Sequence, residues 1–246
     1  MADSPPIIFY DIASAPPVTS FAPNPWKTRY ALNFKKVNYR TEWVDLAHVK
    51  SLRMQLKAAP VRFFADGEPF YTLPIIDDQS TGQIIGDSFD IAVYLDKIYP
   101  DGPSLFPPST IGLHAAFNKQ VDDIFSGCWR LFVHGIPLNP GTADECKAEM
   151  ERRSGMRWED LTVQGEERRV ELEKYKASIG ELAKFFKRVD GPFLGGETVT
   201  YSDLIVGAWL KYLSVTTKEW EEIQLWHDGL WGRLNRTLQE KYGDVK

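Results

Sequence analysis

Residues 71–88 read YTLPIIDDQSTGQIIGDS. Two β-rich runs, YTLPIID at Tyr71–Asp77 and QIIG at Gln83–Gly86, flank the turn DQSTG, which predicts a pair of antiparallel strands. Asp87 and Ser88 then end the sheet and open a helix, because Ile91, Leu95 and Ile98 fall at i, i+4 and i+7 behind them, with Ser88 as its N-cap. Leu73-Pro74 sits inside the first strand, where proline removes a ladder donor and should be excluded from a sheet interior. One reading is a cis peptide that turns the Leu73 N–H and C=O outward, so that the strand edge pairs with an extended, peptide-like ligand. The other is a trans proline on an edge strand, which proline alone favours, since only about 5–6% of X-Pro bonds are cis.

Upstream, IIFYDI at Ile7–Ile12 is β-branched and aromatic and has the length of a buried strand. A Pro- and Ser-rich loop follows from Ala13 to Pro25. A helix should come next, because Trp26, Tyr30 and Phe34 recur at i, i+4 and i+8 among Lys27, Arg29, Lys35 and Lys36, with Pro23 or Pro25 acceptable in its first turn. NYRTEWV at Asn38–Val44 reads as a second strand. Strand, helix, strand at this spacing predicts a right-handed parallel βαβ unit. The order β-α-β, then β-β-α, is thioredoxin-like, with its central helix poorly signalled between residues 46 and 60.

Downstream the character changes. Residues 100–110, PDGPSLFPPST, carry four prolines and a glycine and suit a linker. Beyond it, Phe117, Val121, Ile124, Phe125, Cys128, Trp129 and Phe132 repeat with a helical period, as do Leu172, Tyr175, Ile179, Leu182 and Phe186. Residues 134–165 are charged and poor in apolar side chains, and read as a surface excursion with short helical pieces. Thr200-Tyr-Ser-Asp203 resembles a capping box ahead of LIVGAWL, a helix apolar nearly all round and expected at the centre of its domain. The predicted fold class is therefore α/β plus all-α: a thioredoxin-like domain over 1–99, a linker over 100–110 and a helical bundle over 111–246.

The chain has 246 residues, with 29 Lys and Arg against 34 Asp and Glu, a net charge of −5 and no long block of like charge. That balance argues against nucleic acid or an anionic membrane as the main partner. Two cysteines, Cys128 and Cys146, make neither a disulfide framework nor a four-ligand zinc site, and the four histidines show no metal-ligand spacing. No signal peptide opens the chain and no run of eighteen apolar residues occurs, so a cytoplasmic protein without a metal is expected. The usual phosphate-loop, dinucleotide and serine-hydrolase signatures are absent from the sequence.

At Asp87-Ser88 a carboxylate and a hydroxyl meet the free N–H groups of a helix start. The aspartate can hold an ammonium, and the serine with its amide a carboxylate, which together fit an α-amino acid head group. The plainer reading is a simple N-cap.

Leu73-Pro74 followed at thirteen residues by Asp87-Ser88 and an apolar helix resembles the cytosolic glutathione transferases, and Thr200–Asp203 is similar to that family's folding motif. SFAPNPWKTRYAL at Ser20–Leu32 and RWEDLTVQGEE at Arg157–Glu167 look like the first helix and the inserted segment of the fungal-specific A class (FuA) and the bacterial β-etherases. The resemblance covers the whole chain. It implies that the residue before a cis-proline, Leu73, pairs with the cysteinyl backbone of glutathione, that Asp87 and Ser88 hold its γ-glutamyl end, and that His48 or Lys57 reaches its glycyl carboxylate. It also implies glutathione as co-substrate and a homodimer. Phe117, Val121, Phe125 and Trp129 are then candidates for a hydrophobic substrate pocket, although an aromatic stripe at helical spacing is more often core.

One position departs from the family pattern. Where the resemblance leads to a thiol-activating serine, this chain has Ala22, which donates no side-chain hydrogen bond. Ser20, Thr19, Asn24 and the main-chain amides of residues 20–24 are the nearest substitutes; Ser20 reads equally well as an ordinary loop serine. The expected function is transfer of glutathione to hydrophobic, aromatic electrophiles in detoxification. The alternative is a weakly catalytic ligand-binding protein, a ligandin for phenolic compounds, and Ala22 keeps that alternative open. Ether cleavage on lignin-like aryl compounds rests on family likeness alone.

Overall fold

The computed structural model describes residues 5–64 and 67–246. The chain divides into two compact units, the first made of residues 1–104 together with 138–146 and 242–246, the second of 105–137 and 147–241. Each is built around its own core.

In the first unit, β1 (Ile7–Ile12), α1 (Pro23–Phe34) and β2 (Tyr39–Val44) form the predicted parallel crossover, with Ile7 opposite Tyr39 and Ile12 opposite Val44. After α2 (Val49–Gln55) and a small hairpin of β3 (Arg62–Phe63) and β4 (Pro69–Phe70), β5 (Ile75–Asp78) runs antiparallel to β1, and β6 (Gln83–Ile85) antiparallel to β5. The sheet order is β2-β1-β5-β6. α3 (Ser88–Ile98) packs against α1. Trp26, Tyr30 and Phe34, the predicted apolar row of α1, are all buried. At about 1.5–3 kcal/mol for each large apolar side chain removed from water, such rows supply most of the drive for docking the helix.

Charge is buried with them. Arg29 on α1 pairs with Asp11 of β1 at 2.7 Å, both side chains fully buried, and the guanidinium lies over the rings of Phe9, Trp26 and Trp43. Burial pushes the Asp11 carboxyl above its usual range, while Arg29 and Ser20 act in the opposite direction. An ion pair that is desolvated on both sides adds little net stability, but loss of one partner strands the other.

Three elements differ from the sequence reading. The strand expected from Tyr71 begins only at Ile75, because the chain reaches the sheet through Pro74, which has no ladder donor. The helix between residues 46 and 60 is split into a tight turn, Leu46–His48, and seven-residue α2, which explains its weak periodicity. The N-cap of α3 is Asp87, not Ser88, which is its first helical residue.

In the second unit α4 (Ile111–Ser126) packs on α7 (Tyr201–Thr216), whose sides are buried almost without interruption. The row expected to run on to Phe132 ends at Ser126. Gly127 closes α4, and Trp129 and Phe132 lie in short turns after it. Between α4 and α7 lie α5 (Ala143–Ser154), most of it within this unit, and α6 (Gly165–Phe186), whose Leu172, Tyr175, Ile179, Leu182 and Phe186 are buried as the period predicts. Asp203 caps α7, accepting from the Thr200 N–H at 2.8 Å and the Leu194 N–H at 2.7 Å. α8 (Trp220–Ile223) and α9 (Trp226–Tyr242) complete the unit. The second half of the proline-rich stretch belongs to this core, since Leu105 and Phe106 are buried and the Leu105 carbonyl accepts from the Tyr201 N–H at 2.8 Å. No helix among the described residues is long and apolar enough to cross a membrane.

Candidate functional site

The Leu73-Pro74 peptide is cis. Leu73 is wholly buried. Its carbonyl accepts weakly from Thr72 Oγ1, at 3.3 Å.

Asp87 is extended, as an N-cap must be, and its Oδ1 accepts from the Phe89 N–H at 2.8 Å. The plain capping reading therefore holds for one carboxylate oxygen. Among the described residues Oδ2 accepts no hydrogen bond. Ser88 is nearly buried beside it.

One side chain that the sequence reading did not single out joins these two places. Arg53, in the last turn of α2, is 2% exposed, and its guanidinium donates to the carbonyls of Thr72, of Ala59 at 2.6 Å and of Gly86 at 3.0 Å. Thr72 immediately precedes Leu73-Pro74; Gly86 immediately precedes Asp87-Ser88. Burial lowers the Arg53 pKa, while the Asp87 charge opposes the change. A lone arginine in a short, weakly periodic helix carries no sequence signal for this role.

At the start of α1 the candidate donors separate. Ser20 is 1% exposed, and its Oγ is sealed from solvent without a hydrogen-bond partner of ordinary geometry. It faces the Asp11 carboxyl closely enough to favour the charged form. Thr19 is exposed, with its N–H bound to Ser14 Oγ at 2.9 Å. Ala22 is the N-cap of α1 and gives no side-chain cap.

The first turn of a helix normally offers up to four free N–H groups. Here Pro23 and Pro25 have none, and the Trp26 N–H is taken by the Ala22 carbonyl at 3.1 Å. The Asn24 N–H is the one amide of that turn left to meet an anion, and the half-buried Asn24 carries a side-chain amide beside it. Both prolines are legible in the sequence, so this restriction could have been read there.

His48 and Lys57 are exposed. His48 borders a groove of about 350 Å³ with Tyr10, Glu42, Asp45 and Ser51, and Lys57 follows α2 in a left-handed conformation, φ 54°. Among the described residues no hydrogen bond ties either to Leu73 or Asp87. Asp45, at the head of the same turn, is held from the excursion: Thr142 Oγ1 donates to it at 2.7 Å and Asn139 Nδ2 at 2.8 Å. Burial raises the Asp45 pKa, but these bonds and the Ala47 N–H outweigh it and hold the carboxyl below its usual range.

Of the four apolar candidates in the second unit, Val121 and Phe125 are fully buried, and Phe125 stacks on Trp209 with centroids 5.5 Å apart. They are core residues in this structure, and Phe117 and Trp129, partly exposed, are the two that keep reachable surface. A cavity of about 420 Å³ in the same unit, bordered by Phe186, Phe193, His227, Arg233 and Leu234, involves none of the four. Both cysteine thiols are pushed up in pKa, chiefly by burial, so neither is built as a nucleophile. Among the described residues no group of three or more His, Cys, Asp or Glu is placed to hold a metal ion.

Residues 112–242 match the family profile described as glutathione S-transferase, C-terminal domain, and residues 21–98 the one described as glutathione S-transferase, N-terminal domain. The chain is 28% identical over 253 residues to the glutathione S-transferase-like protein ustS of Aspergillus flavus, across 90% of this chain and 89% of that one. Its structure is similar to that of glutathione transferase GSTFuA3 from Phanerochaete chrysosporium, with a TM-score of 0.89 and 29% identity over 99% of this chain and 100% of that one. It is also similar to a glutathione S-transferase of Ceriporiopsis subvermispora crystallised in complex with glutathione, with a TM-score of 0.88 and 36% identity over 98% and 99% of the two chains.

Proposed function

The chain belongs to the glutathione S-transferase family, and from that premise we propose that it binds glutathione in its first unit and transfers it to hydrophobic, aromatic electrophiles. The cysteinyl backbone pairs with the main chain of Leu73, while the γ-glutamyl ammonium meets Asp87 Oδ2 and its carboxylate meets Ser88 and the start of α3. His48 or Lys57 receives the glycyl carboxylate. The observation that carries this reading is the single guanidinium that holds the segment leading into Leu73-Pro74 to the segment that opens on Asp87 and Ser88.

The thiol then points to the start of α1, where the Asn24 N–H and side-chain amide stabilise its anion. The thiol proton leaves to solvent, the sulfur forms a bond to the electrophilic carbon, and the leaving group departs with the bonding pair. Orientation and charge stabilisation are what the protein supplies, and no metal takes part. Phe117 and Trp129 offer the apolar surface for the electrophile. A cytosolic homodimer engaged in detoxification is the setting proposed.

Ala22 favours a second reading, a ligandin that sequesters phenolic compounds with little turnover, because a side-chain hydroxyl is missing where the family resemblance places one. Turnover of a chromogenic aryl halide with glutathione tests the choice. Rates well above the uncatalysed reaction are expected; rates equal to it, with tight binding of a phenolic ligand, would replace transferase by ligandin.

A further inference from the structure

We infer that Arg53 is the positioning residue that sets the distance between the two halves of the glutathione site, an inference that rests on the reading of that site given above. Its guanidinium is almost fully buried, and its hydrogen-bond partners among the described residues are carbonyl oxygens rather than a carboxylate. A buried cation needs its donors satisfied. Here its two terminal nitrogens draw in the carbonyl before Leu73-Pro74, the carbonyl before Asp87-Ser88, and the Ala59 carbonyl just past α2, while the buried Nε has no hydrogen-bond partner among the described residues. The planar fork of arginine holds several acceptors in fixed directions at once, which the point charge of a lysine does not.

The neighbouring sequence is matched to this clamp. A β-carbon at residue 86 would overlap the Arg53 guanidinium, so glycine at 86 is what allows the carbonyl of that residue to approach. Moving the guanidinium aside to make room would give up its bonds to Thr72 and Ala59 as well. The Asp87 charge also acts on the Arg53 guanidinium, so the clamp and the cap are coupled electrostatically as well as through the chain. Arg53 touches none of the ligand's reacting atoms in this arrangement. It acts through the strand edge and the helix cap.

The test is calorimetric titration of glutathione into the full chain and into Arg53→Met, Arg53→Lys, Gly86→Ala, Asp87→Asn and the Arg53→Met/Asp87→Asn double variant. Arg53→Met is expected to weaken glutathione binding roughly 10- to 100-fold, the range that follows from losing charge-assisted hydrogen bonds. Gly86→Ala should weaken it in the same direction, and Arg53→Lys should restore only part of the loss. The readout that separates positioning from mere structural support is the coupling: Asp87→Asn should cost much less affinity when Arg53 is already absent. General destabilisation would leave that cost unchanged, and an unchanged cost overturns the inference. So does wild-type affinity in folded Arg53→Met, or in Gly86→Ala should Arg53→Met not fold. If the unmodified chain itself binds no glutathione, the glutathione reading fails and this inference with it, whereas binding by the unmodified chain that is indifferent to residues 53 and 86 defeats the inference alone.

Discussion

Replacing Asn24 isolates the group proposed to activate the thiol. Pro23 and Pro25 leave the first turn of α1 one uncommitted main-chain N–H, that of Asn24, and its side-chain amide is the second donor at the same place. A hydrogen bond to a charged acceptor contributes about 1.5–3 kcal/mol, which corresponds to roughly one to two pKa units. From a free thiol pKa of about 8.5, the bound thiol should titrate near 7. At pH 6.5 the thiolate fraction would then be roughly 0.24, against about 0.01 without the donors, from the same pKa values. Asn24→Pro removes the N–H and the side chain together at a position where the first helical turn tolerates proline. Asn24→Ala removes the side chain and keeps the N–H. The pH dependence of kcat/KM and the ultraviolet absorbance of bound thiolate both report the shift. Asn24→Pro should raise the apparent pKa by one to two units and lower activity at pH 6.5 on the order of 20-fold, with Asn24→Ala between it and the unmodified chain. Ser20→Ala should leave the profile in place, because that hydroxyl is sealed against Asp11. Unshifted profiles in both Asn24 variants, or a shift in Ser20→Ala, would refute this assignment.

Further outcomes follow from the same geometry. Asp87→Asn keeps a good N-cap but removes the charge, so it should weaken glutathione binding while changing the denaturation midpoint little; Asp87→Ala should do both, with about 1 kcal/mol lost from the cap. In urea unfolding, Arg29→Met alone should cost about 3–5 kcal/mol, because it strands a buried Asp11, whereas Arg29→Met with Asp11→Leu should recover much of that loss. Equal costs for the single and double variants would contradict a paired buried charge. The Asp45 carboxyl has a folded pKa below its ordinary value of 3.8, so its stabilising contribution is complete above that value and is lost as the pH falls through the folded pKa. Hydrogen exchange in residues 138–146 should therefore accelerate in that acid window relative to the β1–β2 core, and in Asp45→Asn it should already be fast at neutral pH. A segment equally protected in Asp45→Asn would show that Asn139 and Thr142 do not hold it.

The parts of the fold legible in the sequence are those in which a local rule and the tertiary outcome agree. The i, i+4, i+8 row of Trp26, Tyr30 and Phe34 is buried as its period requires, and so is the row from Leu172 to Phe186. Leu73-Pro74 demands an account because a strand excludes proline; proline alone favours trans, the family resemblance implies cis, and the chain adopts the cis peptide there. The helix cap shifted by one residue because Asp87 and Ser88 are both good capping residues and only backbone geometry separates them. The row ending in Trp129 misled because Gly127 stops the helix, after which equal spacing no longer means one face. Val121 and Phe125 went to the core for the reason amphipathic rows usually do.

Arg53 and the Asp11–Arg29 pair were not legible, since nothing in a single sequence says which charged residues are buried or what they bridge. The same is true of the association of residues 138–146 and 242–246 with the first unit, which depends on contacts between residues 94 to 209 positions apart, such as Asn139 to Asp45 and Asn33 Nδ2 to the Tyr242 carbonyl at 2.7 Å.

A crystal structure of this chain soaked with glutathione bears most directly on the assignment. The account predicts cysteinyl main-chain bonds to Leu73, the γ-glutamyl ammonium within hydrogen-bond distance, about 3 Å, of Asp87 Oδ2, and the sulfur beside Asn24. Glutathione lodged elsewhere, or bound here with its ammonium turned away from Asp87 and its sulfur against carbon alone, would contradict it.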